Sequence, residues 1–243
     1  MDKNKEIPAQ GHEPGAPRQE EASITVCIPT YKRPGLLERL LNGIAQQETG
    51  GRFAYRVLVV DNDTRQSALP IVERARKRLE IDIAYRTEPE QNIALARNAA
   101  VKYSGETDIA FIDDDEVPDK RWLLNLWKTL SQSEADGVLG PVRPFFPEGC
   151  PAWVAASGLC ERPSHATGSV LEVGDCRTGN VLLRRRLFKD GRLFGPEFGR
   201  TGGEDAEFFK ACIEAGSQFI WCDMAVARET VPPERWTVRC QTT

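Results

Sequence analysis

Histidine and methionine are scarce: two of each stand in 243 residues. His12 and His165 lie far apart, and the seven cysteines (27, 150, 160, 176, 212, 222 and 240) are scattered, odd in number and never spaced CxxC. Such a distribution argues against a zinc site and fits a reducing, cytoplasmic setting. No apolar run approaches the roughly 18 residues that a membrane helix needs. The N-terminus has no apolar stretch of the kind that marks a secretory signal. Neither sign of charge dominates. Lys and Arg number 32 against 36 Asp and Glu, a net charge of -4 that leaves no footprint for nucleic acid. What remains is the composition of a soluble globule, 40% hydrophobic and 28% charged, with enough chain for one large α/β domain or two small ones.

Residues 1–22 carry prolines, glycines and glutamates but almost no large apolar side chains, so they read as a disordered tail. Ser23–Pro29 is β-branched and ends in proline, the pattern of a strand. Leu36, Leu37, Leu40, Leu41 and Ile44 then repeat as one helical stripe. Arg56–Val60 predicts a second buried strand, residues 67–79 a helix, Ile81–Arg86 an edge strand, and Ile93–Tyr103 an Ala-rich helix able to lie close to a sheet. Asp108–Ile112 is a short apolar run and predicts a further strand buried on both faces. Asp119 reads as the N-cap of a helix striped by Trp122, Leu123, Leu126, Trp127 and Leu130. The alternation from 23 to 130 implies an α/β fold, a Rossmann-like, mostly parallel central sheet flanked by helices. Beyond 137 the pattern loosens. Val138–Val142, Val170–Val173, Val181–Leu183 and Gln218–Trp221 read as strands, and residues 223–243 as less regular. Arg184–Arg186 reads as a solvated basic turn, and His165 as a surface-loop residue without a structural role. No internal repeat is present.

Strands of this sheet run straight into polar or acidic groups. Asp61-Asn62-Asp63 follows the second, and Asp113-Asp114-Asp115-Glu116 follows the fourth. Ligands of open α/β sheets bind beyond the carboxyl ends of the strands. Four crowded carboxylates raise one another's pKa unless a cation, arginines or water relieves them. Two readings stand at this point: hard oxygen ligands for Mg²⁺ or Mn²⁺, or a solvated acidic turn. A second motif, Gly202-Gly203-Glu204-Asp205, opens a helix. An aspartate with an unperturbed pKa near ~3.9 is ionised at neutral pH and suits a general base.

Together, and in order, these pieces resemble the family 2 glycosyltransferases, which have the GT-A fold. The matching pieces are Val26–Arg33, Val59–Asn62, Ala96-Arg97-Asn98, Phe111–Glu116, Thr178-Gly179-Asn180 and Gly202–Asp205, over roughly residues 23–239. The variant resembles non-processive bacterial enzymes of cell-surface polysaccharide assembly. The resemblance implies one domain over 23–243, with a nucleotide-sugar-binding half (23–135) and an acceptor-binding half (136–243). It implies that Pro29, Thr30 and Arg33 line the nucleotide pocket, that Asp61 holds the donor's base or ribose, and that Arg97, Asp113 and Asp114 lie at the donor, with Asn98 supporting the loop. Asp115 would be the direct ligand of Mn²⁺ or Mg²⁺, and Glu229 stands where relatives often place another metal contact. Asp205 would be the general base of an inverting transfer, with Glu204 against the acceptor. The partners implied are a nucleoside-diphosphate sugar and a glycan or lipid-linked acceptor, with peripheral contact at the inner membrane. Trp153, in the irregular stretch 143–168, reads either as a stacking platform for an acceptor sugar or as a buried anchor of its loop. The processive-synthase pattern Gln-x-x-Arg-Trp is absent, which disfavours repeated extension.

Three other classes compete. A nucleotide- or metal-binding module would keep the carboxylates but has no need of Asp205. A phospho-accepting signalling domain would be about half this length. A nucleotidyltransferase needs a Gly-rich basic loop near the first strand, and Lys32-Arg33-Pro34-Gly35 is a poor version of one.

Overall fold

A computed structural model describes residues 23–236; the expected tail and His12 lie outside them. Eight residues of β1 (Ser23–Thr30) pair in parallel with β2 (Ala54–Asp61), which pairs with β3 (Ile83–Thr87) at one edge. On its other side β1 pairs in parallel with β4 (Asp108–Ile112). The sheet continues through β8 (Asn180–Leu183) and β6 (Gly137–Leu139) to β9 (Phe219–Trp221), in the order β3-β2-β1-β4-β8-β6-β9. Among these seven strands, β8 alone runs against its neighbours.

Buried strands explain the two-sided core. Side chains alternate across a strand, so Ile24, Val26, Ile28, Val57 and Val59 enter one cluster while Cys27, Leu58, Val60 and Phe111 enter the other. Helices α1 (Pro34–Ile44), α2 (Leu69–Arg78) and α4 (Trp122–Ser131) cover the first face. Helix α3 (Ile93–Tyr103) and helix α6 (Glu204–Glu214) cover the second. Ala94, Ala96 and Ala100 of α3 are fully buried; their small side chains bring that helix against β1 and β2.

A second sheet departs from expectation. Val138–Val142 is not one strand: it breaks at Gly140-Pro141, and β7 (Val142–Phe145) turns away to join β5 (Glu116–Pro118) and β10 (Ala227–Thr230) in the order β5-β10-β7. Pro141 has no N–H for the ladder. At Gly140 a Cβ would lie 2.2 Å from the carbonyl oxygen of Ala225, so the chains meet closer than any side chain allows. Asn180 pins this corner. Its amide donates to the carbonyls of Pro141 (3.0 Å) and Ala225 (2.8 Å), and its oxygen accepts from the Trp122 indole (2.7 Å).

Other local expectations are corrected by tertiary partners. Asp119 does not cap α4; Arg121 precedes that helix, and the Asp119 carboxylate accepts from Arg228 at 3.2 and 3.4 Å. Within Val170–Val173 only an isolated bridge from Val170 to Ile220 forms, before a 3-10 turn at Val173–Asp175. Arg184–Arg186 is not a solvated turn. Arg184 donates to the carbonyls of Leu130 (2.8 Å), Ser133 (2.9 Å) and Ala135 (2.8 Å), satisfying the end of α4 and the turn after it. Arg185 donates to the Val101 carbonyl at 2.9 Å, and Arg186 pairs with Asp136 at 2.7 Å. Replacing Arg184 with Ala takes a donor from each of three carbonyls, of which Leu130 keeps the Ser133 N–H. We expect a loss of about 1–3 kcal/mol in urea denaturation, with Arg184→Lys intermediate because one ammonium cannot span all three.

Candidate active site

All four parallel strands from β3 to β4 end on the same edge, and a cavity of about 710 Å³ opens there. Pro29, Thr30, Arg33, Arg97, Asp113, Asp114 and Asp115 all line it. Asp114 is buried and accepts from Thr30 Oγ1 at 2.7 Å and Arg33 Nη1 at 3.0 Å. The same Arg33 nitrogen lies 3.0 Å from Asp115 Oδ2. One half-exposed arginine thus bridges two carboxylates.

The second arginine is buried. Arg97 pairs through Nη1 with Glu204 and through Nη2 with Asp113 at 3.5 Å, and its Nε has no partner. Arg97 lies on α3 and Glu204 opens α6, so this pair ties the first turn of α6 to the acidic wall of the cavity. Glu204 was expected against the acceptor; instead it is buried against Arg97. Asp205, next in the helix, is half-buried and does not line the large cavity.

Two arginines do not neutralise the acids. Burial, then the charges of Asp113, Asp114 and Glu229, push Asp115 up to about 6 against the pull of Arg33. Burial likewise raises Asp114 despite its bonds to Thr30 and Arg33. Glu116, at 1% exposure, is raised far more by burial and then by Asp113 and Asp115, and its Oε2 has no partner. Gly179 leaves room for it: a Cβ there would lie 2.7 Å from Glu116 Oε1 and 3.1 Å from Asp113 Oδ2. Glu116 and Gly179 carried no separate role in the sequence.

Three expected residues do not line the large cavity. Asp61 is fully buried and does not line the cavity. Its oxygens accept from the backbone N–H of Asp63 (3.1 Å) and Ala68 (2.8 Å) and from the Tyr85 hydroxyl (2.9 Å), so it shapes the loop after β2. Glu229, expected at a metal, has one oxygen 2.5 Å from Arg162 and the other 2.5 Å from Arg235. Trp153 is 46% exposed on α5 (Ala152–Ala156), where Val154 is the buried residue, so Trp153 does not anchor its loop. The cavity wall also uses Asn62, Asn92, Gly199 and Arg200. Asn92 caps α3 by accepting from Leu95 N–H at 3.2 Å, and that capping position was legible in a stretch read only as a turn. Gly199 was not, because the space it leaves for Asn92 comes from a loop over one hundred residues away.

Comparison with known proteins fits this geometry. The sequence profile described as "Glycosyl transferase family 2" matches residues 25–192. This chain belongs to glycosyl transferase family 2. Among curated family relatives it is 36% identical over 220 residues to the succinoglycan biosynthesis protein ExoM of Rhizobium meliloti, covering 89% of this chain and 69% of that one. To the glycosyltransferase AglE of Haloferax volcanii it is 29% identical, covering 79% and 62%. Among solved structures it resembles the mannosyltransferase PcManGT of Pyrobaculum calidifontis, in complex with GDP-Man and Mn²⁺ (TM-score 0.67, 20% identity, 90% of this chain and 59% of that one). It also resembles S. aureus TarS in complex with UDP (TM-score 0.65, 23% identity, 87% and 61%). These likenesses show the GT-A fold. No helix among the described residues is long and apolar enough to cross a membrane.

The crowding of acids has a measurable sign. The folded state holds the Asp115 proton more tightly than the unfolded chain, so this contribution to stability is full below about pH 4 and is lost as pH rises through about 6. Asp115→Asn removes the loss. Without divalent ions, we expect the variant to exceed the wild type by about 0.5–2 kcal/mol at neutral pH, with the difference shrinking toward acid. Urea denaturation at both pH values checks this; a variant no more stable at neutral pH counts against it.

Proposed function

We propose that the chain is an inverting glycosyltransferase that moves a sugar from a nucleoside diphosphate to a hydroxyl of a glycan or lipid-linked acceptor in cell-surface polysaccharide synthesis. The observation that carries this reading is the junction at Arg97, where the acidic wall of the large cavity meets the helix that bears Asp205. The nucleotide-sugar half is 23–135 and the acceptor half 136–243.

In this reading Pro29, Thr30 and Arg33 bound the nucleotide pocket, and Arg97 and Asp113 face the donor. Asp114 acts through Thr30 and Arg33, holding the arginine in place. Asp61 supports the loop after β2, leaving its neighbour Asn62 on the cavity wall. Asp205 takes the proton of the acceptor hydroxyl as its oxygen attacks the anomeric carbon from the face opposite the diphosphate. One base and one displacement invert that carbon. Trp153 offers an exposed ring for an acceptor sugar.

A divalent ion fits the acids present. The wall holds more carboxylate than Arg33 and Arg97 offset, and Glu116 Oε2 lacks a partner. Among the described residues no three such side chains converge as a cage. An open site with one or two protein carboxylates, completed by phosphate oxygens and water, is the arrangement Mg²⁺ favours. Asp115, with Asp113 beside it, would hold Mn²⁺ or Mg²⁺, which supplies positive charge against the diphosphate as it leaves. Glu229 is left out of that set, since both its oxygens already carry guanidinium donors. The setting that fits is cytoplasmic, with peripheral contact at the inner membrane.

The test is release of nucleoside diphosphate from a panel of nucleotide sugars with Mn²⁺ or Mg²⁺ and glycan acceptors. We expect turnover of one donor, dependent on metal. Asp205→Asn should cut kcat by about 10²–10⁴-fold with donor binding preserved, and Asp115→Ala should abolish metal-dependent nucleotide binding. Metal-independent binding that survives Asp115→Ala would overturn the site.

A further inference from the structure

Past Gly179 the sheet edge continues to a second, smaller cavity. Asn180 pairs with Ile112, Leu139 with Val181, and Trp221 with Leu139. Trp221 therefore stands on the same edge as the acids, three strands along. The cavity measures about 40 Å³, room for about two or three waters or one small substituent and far less than a sugar ring. Trp221, Asn180, Arg162, His165, Asp175 and Arg177 line it.

Most of its polar groups are engaged. The Asn180 amide is used in the corner described above. Arg162 is held by Glu229. Asp175 takes His165 Nε2 at 3.0 Å on one oxygen and the Glu172 N–H at 3.3 Å on the other. His165 is thus a structural residue, contrary to expectation, and its ring meets Trp221 edge-on at 5.3 Å.

Two groups remain, and both are donors. The Trp221 indole N–H is buried and has no acceptor. Arg177 has no carboxylate within 4 Å among the described residues. A buried donor left unpaired costs about 1–3 kcal/mol, so the cavity favours an oxygen that accepts. A hydroxyl brings no charge to meet the guanidinium of Arg177. A carboxylate needs only donors, and Arg177 makes the bond charge-assisted. The position suits an acceptor: α6 packs on the Val173–Asp175 turn, and Asp205 lies near enough to Cys176, next after that turn, for its charge to raise the thiol.

We propose that this cavity is a subsite for a carboxylate carried by the acceptor glycan, held by Trp221 Nε1–H and Arg177. It rests on the transferase reading, whose acceptor half it refines. A uronic acid residue beside the attacked sugar is the chemical class it takes, and seating that group orients the neighbouring hydroxyl toward Asp205.

Calorimetric titration of the whole protein with methyl β-D-glucuronoside and methyl β-D-glucoside tests it. The wild type should bind the uronoside at least about tenfold more tightly, and Arg177→Gln and Trp221→Phe should each remove most of that advantage. Arg177 is exposed, so its variant stays informative even if Trp221→Phe unfolds. Equal binding of the two glycosides, no binding of either, or a preference that survives Arg177→Gln would overturn the proposal. A panel of nucleoside diphosphates with Mn²⁺, titrated into the wild type, reports on the donor site separately. Its failure would count against the transferase reading while the uronoside result still decides whether the carboxylate site exists.

Discussion

A guanidinium removed from water must find carboxylates, and Arg97 finds two that come from distant parts of the chain. Asp113 follows β4, and Glu204 opens α6, 107 residues from Arg97. Removing Glu204 would leave the buried guanidinium with only the part-exposed Asp113, a situation far costlier than the net worth of the pair. The first turn of α6 is therefore held against the acidic wall of the cavity by electrostatics as well as by packing. The packing itself depends on the alanines of α3, which let the helix sit low on β1 and β2 and carry the guanidinium to the site. Asn98, one residue further on, closes the same junction. It donates to the Phe194 carbonyl and accepts from the Phe194 N–H, both at 2.8 Å.

The acids on the other side of Arg97 are in tension with the fold. Thr30 and Arg33 steady Asp114, but Asp115 and Glu116 remain raised by burial and by one another. A protein selected for stability alone would not bury this much like charge. The arrangement makes sense where a cation or a diphosphate's counterion joins the group, and it places the cost of function at the carboxyl edge of the sheet. Backbone without side chains makes the crowding possible: Gly179 is the only kind of residue that leaves room for Glu116 Oε1.

Much of the architecture was legible. β4 read as buried on both faces, and β2 as buried, because their apolar runs do not alternate with polar residues, and the structure divides those runs between two cores. The helical stripes of α1 and α4 and the alanines of α3 were equally plain. Misreadings came where a distant partner overrode a local preference. Asp119 looks like a cap until Arg228 takes its carboxylate. Arg184–Arg186 looks like a solvated turn until carbonyls at the end of α4 and in the turn after it take Arg184 as donor. Val138–Val142 looks like one strand until Pro141 and the Ala225 carbonyl divide it between two sheets.

The sequence by itself determined the parallel half of the sheet, the edge where the site forms, and the residues Thr30, Arg33, Arg97, Asp113, Asp114 and Asp115 on its wall. The strands and their edge follow from periodicity and from polar groups at strand ends, and the wall residues from the resemblance to the family, carried over motif by motif. Only the tertiary structure decided which carboxylates are available. Asp61 satisfies its own loop, Glu229 is clamped between two arginines, and Glu204 faces Arg97 in place of an acceptor. The reason is physical: a carboxylate's role is set by which donors reach its oxygens, and here those donors come from chain segments as far as 107 residues away. Local sequence carries the propensity to form an element, but the pairing of charges across the fold appears only once the elements have packed.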